Sequence, residues 1–157
     1  MSIRVLAVAV VVAACAAPPP VHAAIDPALN GEFTAKSDGQ WAKTKEIFHP
    51  EATVVSTWTI SSSCTNAYSC TGTVVSDHGW TADAKYTSQM WFVTRTLDGW
   101  EPCADGTSAP GKQIIKFYES RYQPGTYEGW DTTAGPSGAC GINRPLFIEL
   151  PFTLIPK

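Results

Sequence analysis

The chain has 157 residues, of which 16% are charged, and a formal net charge of −3. Its basic residues are scattered along the chain, so no stripe or cluster offers phosphates a track, which argues against a nucleic-acid partner. Sparse charge combined with 12 glycines and 6 tryptophans points to strands and turns rather than solvated helices.

A leader comes first. Arg4 gives a positive start, and Val5 to Val12 is an apolar run. That run is too short for a mature transmembrane helix, which needs about 20 apolar residues. Pro18–Pro20 break it, and Val21-His22-Ala23 then offers small or branched residues where signal peptidase reads. Residues 1–23 therefore read as a secretion signal, with cleavage after Ala23 or Ala24. A rival signal overlaps it: Val12-Ala13-Ala14-Cys15 matches a bacterial lipobox, in which Cys15 would carry lipid and become the first mature residue. Either route exports the same unit, a disulfide-bridged β domain over residues 24–157 with a charge of about −4. About 134 residues suit one domain with one core. No later stretch is apolar enough to cross a membrane.

Four mature cysteines remain, Cys64, Cys70, Cys103 and Cys140, an even number in an oxidising compartment. Three pairings are possible. Cys64 and Cys70 flank a short polar stretch between two strand-like runs, so the spacing favours Cys64–Cys70 with Cys103–Cys140. In the chain-entropy account the longer loop contributes about 4 kcal/mol and the shorter about 2. No CxxC pair or neighbouring histidine suggests a zinc site, so no metal and no cofactor is expected.

Glu32 to Lys36 reads as a first strand, and Ser37-Asp38-Gly39 turns it. Trp41 to Ile47 is the best local helix candidate, stopped by His49-Pro50. Thr53 to Ser62 alternates clearly, with Val54, Trp58 and Ile60 on one face, and Trp58 is assigned to the core. Thr71 to Ser76, Trp80 to Tyr86 and Met90 to Thr96 follow, separated by turn signals. Gln113 to Tyr118 pairs with Thr126 to Thr132 across Gln123-Pro124-Gly125, and Ala134 to Asn143 is a glycine-rich loop. Leu146, Ile148, Leu150, Phe152 and Leu154 then repeat with period two. Pro151 cannot donate a ladder hydrogen bond, which places this last strand at an edge or a bulge. Strands about every ten residues give an all-β fold, a single antiparallel meander closing into a sandwich or barrel, with at most one short helix.

Flat indoles stack on sugar faces, so Trp80, Trp91, Trp100 and Trp130 are the candidate ligand-binding residues, with Trp41 behind them. Trp91 is the most suggestive, because the Met90 to Val93 strand is apolar on both faces. Asp77-His78 resembles an orienting pair for general base catalysis, but turn residues are usually just solvated. Asp98, Glu101 and Asp105 form one loose group of carboxylates and Glu119, Glu128 and Asp131 another, from which a glycosidase could draw its two acids. No GxSxG elbow and no phosphate-binding glycine loop occurs, so no catalytic residue is assigned.

The run Ser56 to Cys64, the run Cys70 to Trp80, the segment Trp100-Glu101-Pro102-Cys103-Ala104-Asp105-Gly106-Thr107 and the segment Pro136 to Cys140 resemble the small secreted proteins of mycobacteria and related actinobacteria. That resemblance implies a bacterial exported β domain linked to the cell envelope and brings no catalytic residues with it. The expected function is a non-enzymatic exported domain that binds an envelope glycan, lipid or protein through aromatic surface. A small hydrolase on envelope polysaccharide, and a passive surface module or an inhibitor presenting Thr65–Ser69, are the alternatives. Intact mass of the exported protein separates the two leaders: secretion leaves an unmodified chain from Ala24 or Ile25, lipidation leaves a diacylated Cys15. In both cases reduction should add the hydrogens of two bridges.

Overall fold

The computed structural model describes residues 27–157; the leader and Cys15 lie outside them. Alternation of apolar and polar residues becomes strand through most of that length: β1 (Gly31–Ser37), β2 (Lys43–Thr44), β3 (Ile47–Phe48), β4 (Val54–Asn66), β5 (Ser69–Ser76), β6 (Thr81–Thr87), β7 (Met90–Pro102), β8 (Ser108–Glu119), β9 (Tyr127–Ala134) and β10 (Phe147–Pro156). Strands β4 to β10 pair antiparallel with their neighbours in sequence, and β1 lies between β4 and β10. Pairing of Phe33 with Pro156 and of Ser37 with Phe152 closes the sheet into an eight-stranded up-and-down barrel. This is the barrel form of the expected meander.

Two expectations are corrected. The helix candidate at Trp41 to Ile47 is a 3-10 turn over Gly39–Trp41 followed by the β2–β3 hairpin, which pairs onto β10 at Glu149 and Lys43. A helix of two turns has too few hydrogen bonds to offset its nucleation cost, and the free side of β10 offers a ladder instead. Lys45 and Glu46 make the hairpin turn at φ 52 and 63. Likewise, β10 is no edge at its C-terminal half. Pro151 accepts from Asp38 N through its carbonyl, one step beyond the last β1–β10 ladder pair, so its missing N–H falls where β1 has already turned away. The carbonyl of Asp38, which an N–H there would have served, is met by Trp41 N instead.

The barrel interior is filled over most of its length. Trp58, Phe117 and Phe152 pack ring on ring, with Phe152 5.2 Å from Trp58 and 5.5 Å from Phe117. Trp58 is only 2% exposed, in keeping with its expected core role. Fully burying side chains of this size contributes about 1.5–3 kcal/mol each. An eight-stranded barrel is only just wide enough for its own side chains, so large rings demand small partners: Ala35, Ala82 and Ala84 are buried beside them. Gly129 is small for a different reason, the close approach of the β8 backbone. It pairs with both Phe117 and Phe152, and a Cβ there would stand 2.0 Å from the Lys116 carbonyl oxygen.

Both expected disulfides are present. Cys64–Cys70 joins directly opposed residues of β4 and β5. Cys103–Cys140 ties the β7–β8 turn to the long β9–β10 connection across a separation of 37 residues. Gly129→Ala should force β9 away from β8 and destabilise the protein by about 1–3 kcal/mol, read as a drop in urea midpoint with an unchanged slope. An unaltered midpoint would show that the strands yield at no cost.

Candidate functional site

Because the strands run up and down, their turns alternate between the two ends of the barrel. One end gathers the β1–β4 connection, the β5–β6 turn, the β7–β8 turn and the β9–β10 loop. Here the interior is not filled. A cavity of about 270 Å³ opens between Trp58, Ile115 and Phe152 below and Trp80, Leu97, Trp100, Ile148 and Leu150 around the rim. The volume falls just under the range of about 300–1,000 Å³ common for small-molecule sites.

A polar layer spans the barrel at the cavity floor. Asp131 of β9 is 5% exposed and accepts from Ser37 Oγ at 2.7 Å and from Gln113 Nε2 at 2.8 and 2.9 Å. Gln113 in turn accepts from Arg95 Nε through its side-chain oxygen. Three strands thus position one guanidinium: β7 carries it, β8 holds its Nε, and β9 supplies the charge behind the glutamine. The Arg95 guanidinium lies 4.1 Å over the Trp80 ring, which itself meets Trp58 edge-on at 5.5 Å. Its two terminal nitrogens have no hydrogen-bond partner among the described residues. Trp58 lines the same cavity with a buried indole N–H that also lacks one there. Trp100 is held flat against Gly111, where a Cβ would stand 2.7 Å from the indole. An apolar cup with one stacked, incompletely paired cation can bind a small anion that carries an apolar body.

The opposite end gathers the β4–β5, β6–β7 and β8–β9 turns around a larger cleft of about 830 Å³, lined by Tyr68, Tyr86, Trp91, Tyr118, Tyr122 and Tyr127 among others. Burial raises the Tyr127 hydroxyl above the ordinary tyrosine value, with Glu119 and Tyr86 nearby adding to the effect.

The four tryptophans singled out in the sequence do not form one surface. Trp80 and Trp100 come together at the rim of the cavity. Trp91 is 2% exposed, and its indole N–H donates to the Pro27 carbonyl; the apolar residues on both faces of its strand reflect core packing inside and a half-buried Phe92 outside. Trp130 sits on the outer wall between Tyr118, at 6.1 Å, and Lys116, whose Nζ lies 5.1 Å from its ring. Trp41 is exposed in the 3-10 turn before the flanking hairpin, against Phe48 of that hairpin. His78 lines the cavity rim, but its Nε2 is 3.9 Å from Asp77 Oδ1, beyond a hydrogen bond. The carboxylates are dispersed: Asp131 is inside the barrel, Glu119 and Glu128 border the opposite cleft, Glu101 is buried, and Asp98 and Asp105 are exposed. Among the described residues no group of histidine, cysteine or acidic side chains is placed to hold a metal ion, and no helix is long and apolar enough to cross a membrane. Arg95, Gln113 and Asp131 were not singled out as a unit by sequence reasoning; their signal is a polar residue on the inward parity of a strand.

No protein-family profile matches the chain, and no curated protein matches it in sequence. In fold the chain is similar to the monomer form of the M. tuberculosis PknI sensor domain, at 12% identity and a TM-score of 0.63, over 89% of this chain and 90% of that chain. At that identity the likeness concerns the fold: a closed barrel of this kind occurs as a sensor domain.

The buried acid has a pH signature. Burial raises the Asp131 carboxyl above the usual aspartate value, while the bonds from Ser37 and Gln113 and the charge of Arg95 act against that rise. The folded protein therefore holds this proton more tightly than the unfolded chain, whose aspartate titrates near about 3.9. The stability Asp131 contributes is complete below that unfolded value and is lost as pH climbs through the raised folded one. Asp131→Asn abolishes this titration, with Oδ1 still accepting from Gln113 and Nδ2 replacing the oxygen that accepts from Ser37, so its stability relative to the native chain should rise with pH between about pH 4 and 7. Urea unfolding of both proteins across that interval checks it; a stability difference that stays flat with pH would contradict the assignment.

Proposed function

We propose that this chain is an exported, non-catalytic binding domain that takes a small amphipathic carboxylate into the open end of its barrel. Export is supported by the two disulfides, which form and persist in oxidising compartments, and by the leader read in the sequence. The single observation that carries the ligand is Arg95: a half-buried guanidinium stacked on Trp80, fixed at Nε by Gln113, with its remaining donors unpaired at an apolar cavity. Carboxylates match that fork in two parallel hydrogen bonds. Leu97, Trp100, Ile148 and Leu150 offer the apolar body a wall, and the modest volume favours a short acyl or single-ring acid over a long lipid. For this site a small organic acid replaces the glycan, lipid or protein expected from the sequence.

No arrangement of residues at the mouth favours hydrolysis. Two carboxylates line the cavity: Asp131, buried and already engaged by three hydrogen bonds, and Glu51, exposed at the rim and 3.0 Å from His49 Nδ1, whereas a glycosidase needs two free to flank the sugar. A sensor domain of similar fold is consistent with a binding role without identifying the ligand.

Titration with benzoate and with straight-chain acids from hexanoate to decanoate, followed by tryptophan fluorescence, tests the reading, since Trp80 and Trp100 border the cavity. Arg95→Gln should weaken binding by about tenfold or more, the equivalent of losing charge-assisted hydrogen bonds. The corresponding alcohols should bind poorly to the native protein. A native protein indifferent to every acid, or an Arg95→Gln variant that binds them equally well, would remove the proposal.

A further inference from the structure

The chain contains five tyrosines, and all five line the cleft at the end of the barrel opposite the mouth. They come from four separate places in the sequence: the β4–β5 hairpin (Tyr68), the end of β6 (Tyr86), the end of β8 and its turn (Tyr118, Tyr122), and the start of β9 (Tyr127). None of the five hydroxyls makes a hydrogen bond within the described residues. Two rings are anchored on the core, Tyr86 on Trp91 at 5.5 Å and Tyr127 on Phe117 at 6.0 Å, while Tyr118 packs beside Trp130 on the outer wall at 6.1 Å. The other two, Tyr68 and Tyr122, are 71% and 90% exposed.

Both exposed rings stand on braced loops. Tyr68 N donates to Asn66 Oδ1, Thr65 Oγ1 donates to the Ser69 carbonyl, and Cys64–Cys70 clamps the base of that hairpin. Tyr122 N donates to Ser120 Oγ, Gly125 N donates to Glu119 Oε1, and Thr126 Oγ1 donates to the Gln123 carbonyl. Loops fixed before binding lose little entropy on meeting a ligand.

We propose that this cleft is a second binding site, independent of the mouth, and that it takes a neutral oligosaccharide. The chemistry of tyrosine fits a sugar on both counts: a ring face for the C–H face of a pyranose, and a hydroxyl that both donates to and accepts from sugar hydroxyls. Glu119 and Glu128 border the cleft with Arg121, so its charged side chains are acidic on balance and disfavour an anionic occupant. A volume of about 830 Å³ in an open trough accommodates more than one sugar ring. A protein partner would favour a flatter surface with an apolar centre, whereas this concave cleft mixes Ser88, Gln89, Glu119, Arg121 and Glu128 with its aromatic rings.

The test is saturation-transfer NMR and calorimetry of the full mature protein with a panel of soluble neutral oligosaccharides: maltoheptaose, laminarihexaose, cellohexaose and the hexamer of N-acetylglucosamine. At least one should bind, and the double variant Tyr68→Ala, Tyr122→Ala should weaken it by about tenfold or more. Both side chains are largely exposed, so the fold should survive, as circular dichroism verifies. Tyr122→Phe separates stacking from hydrogen bonding, and a smaller loss than with alanine is expected. Arg95→Gln should leave sugar affinity unchanged, so failure at the mouth and failure at the cleft are distinguishable. Absence of binding across the panel, or binding that ignores the tyrosine variants, overturns the proposal; capture of a protein partner that the double variant loses, without sugar binding, overturns it in favour of a protein interface.

Discussion

Everything in this molecule follows from the pairing of its first strand with its last. Phe33 meets Pro156 and Ser37 meets Phe152 across the chain ends, so the sheet has no free edge along the barrel wall. Closure fixes the interior at a width that eight strands allow and no more. Within that width Trp58, Phe117 and Phe152 stack, and the positions facing them must be alanine or glycine. Toward the other end the inward positions change to Ser37, Ser56, Gln113, Gly111 and Thr133. Side chains of that size cannot fill the same cylinder, and the cavity is the space they leave. The site is thus a consequence of closure acting on a sequence that changes composition along the barrel axis.

The polar layer carries a cost that the rest of the barrel offsets. A buried carboxylate and a half-buried guanidinium stabilise a fold only where each of their hydrogen-bonding groups is met. Ser37 and Gln113 give Asp131 three hydrogen bonds, whereas Arg95 is met only at Nε. An aliphatic residue at position 95 would continue the apolar face that Trp91 and Val93 begin. The departure from good core chemistry is confined to one layer next to an opening, which is where a binding site needs it.

Local patterning made much of this architecture legible. Alternation marked the strands around Trp58, Ala82 and Leu150, and cysteine spacing marked both bridges. Three features escaped it for physical reasons. Closure joins residues more than a hundred positions apart, and no local period records which strand ends meet. The β2–β3 hairpin turns on Lys45 and Glu46, side chains that seldom adopt left-handed backbone, so the usual Asn-Gly signal was missing. The polar layer was written in plain view, with Arg95 on the parity of Val93, Gln113 on that of Ile115 and Asp131 on that of Gly129, but a charged residue on an inward parity looks like a strand's end until the barrel around it is known.

The tyrosines show the same lesson from the other side. Indoles drew attention because of their size, yet the six tryptophans are divided among core, rim, outer wall and the flanking 3-10 turn, while the tyrosines converge. Their convergence follows from meander topology: successive turns alternate ends, so residues near every second turn share a neighbourhood whatever their distance in sequence. Tyr68, Tyr86, Tyr118, Tyr122 and Tyr127 all flank alternate turns. The same rule divides the disulfides, with Cys64–Cys70 bracing the tyrosine end and Cys103–Cys140 the mouth. Each bridge therefore stiffens the loops that border one opening. A closed barrel has a filled middle that separates its two ends, so two openings of different chemistry can each be shaped without disturbing the other.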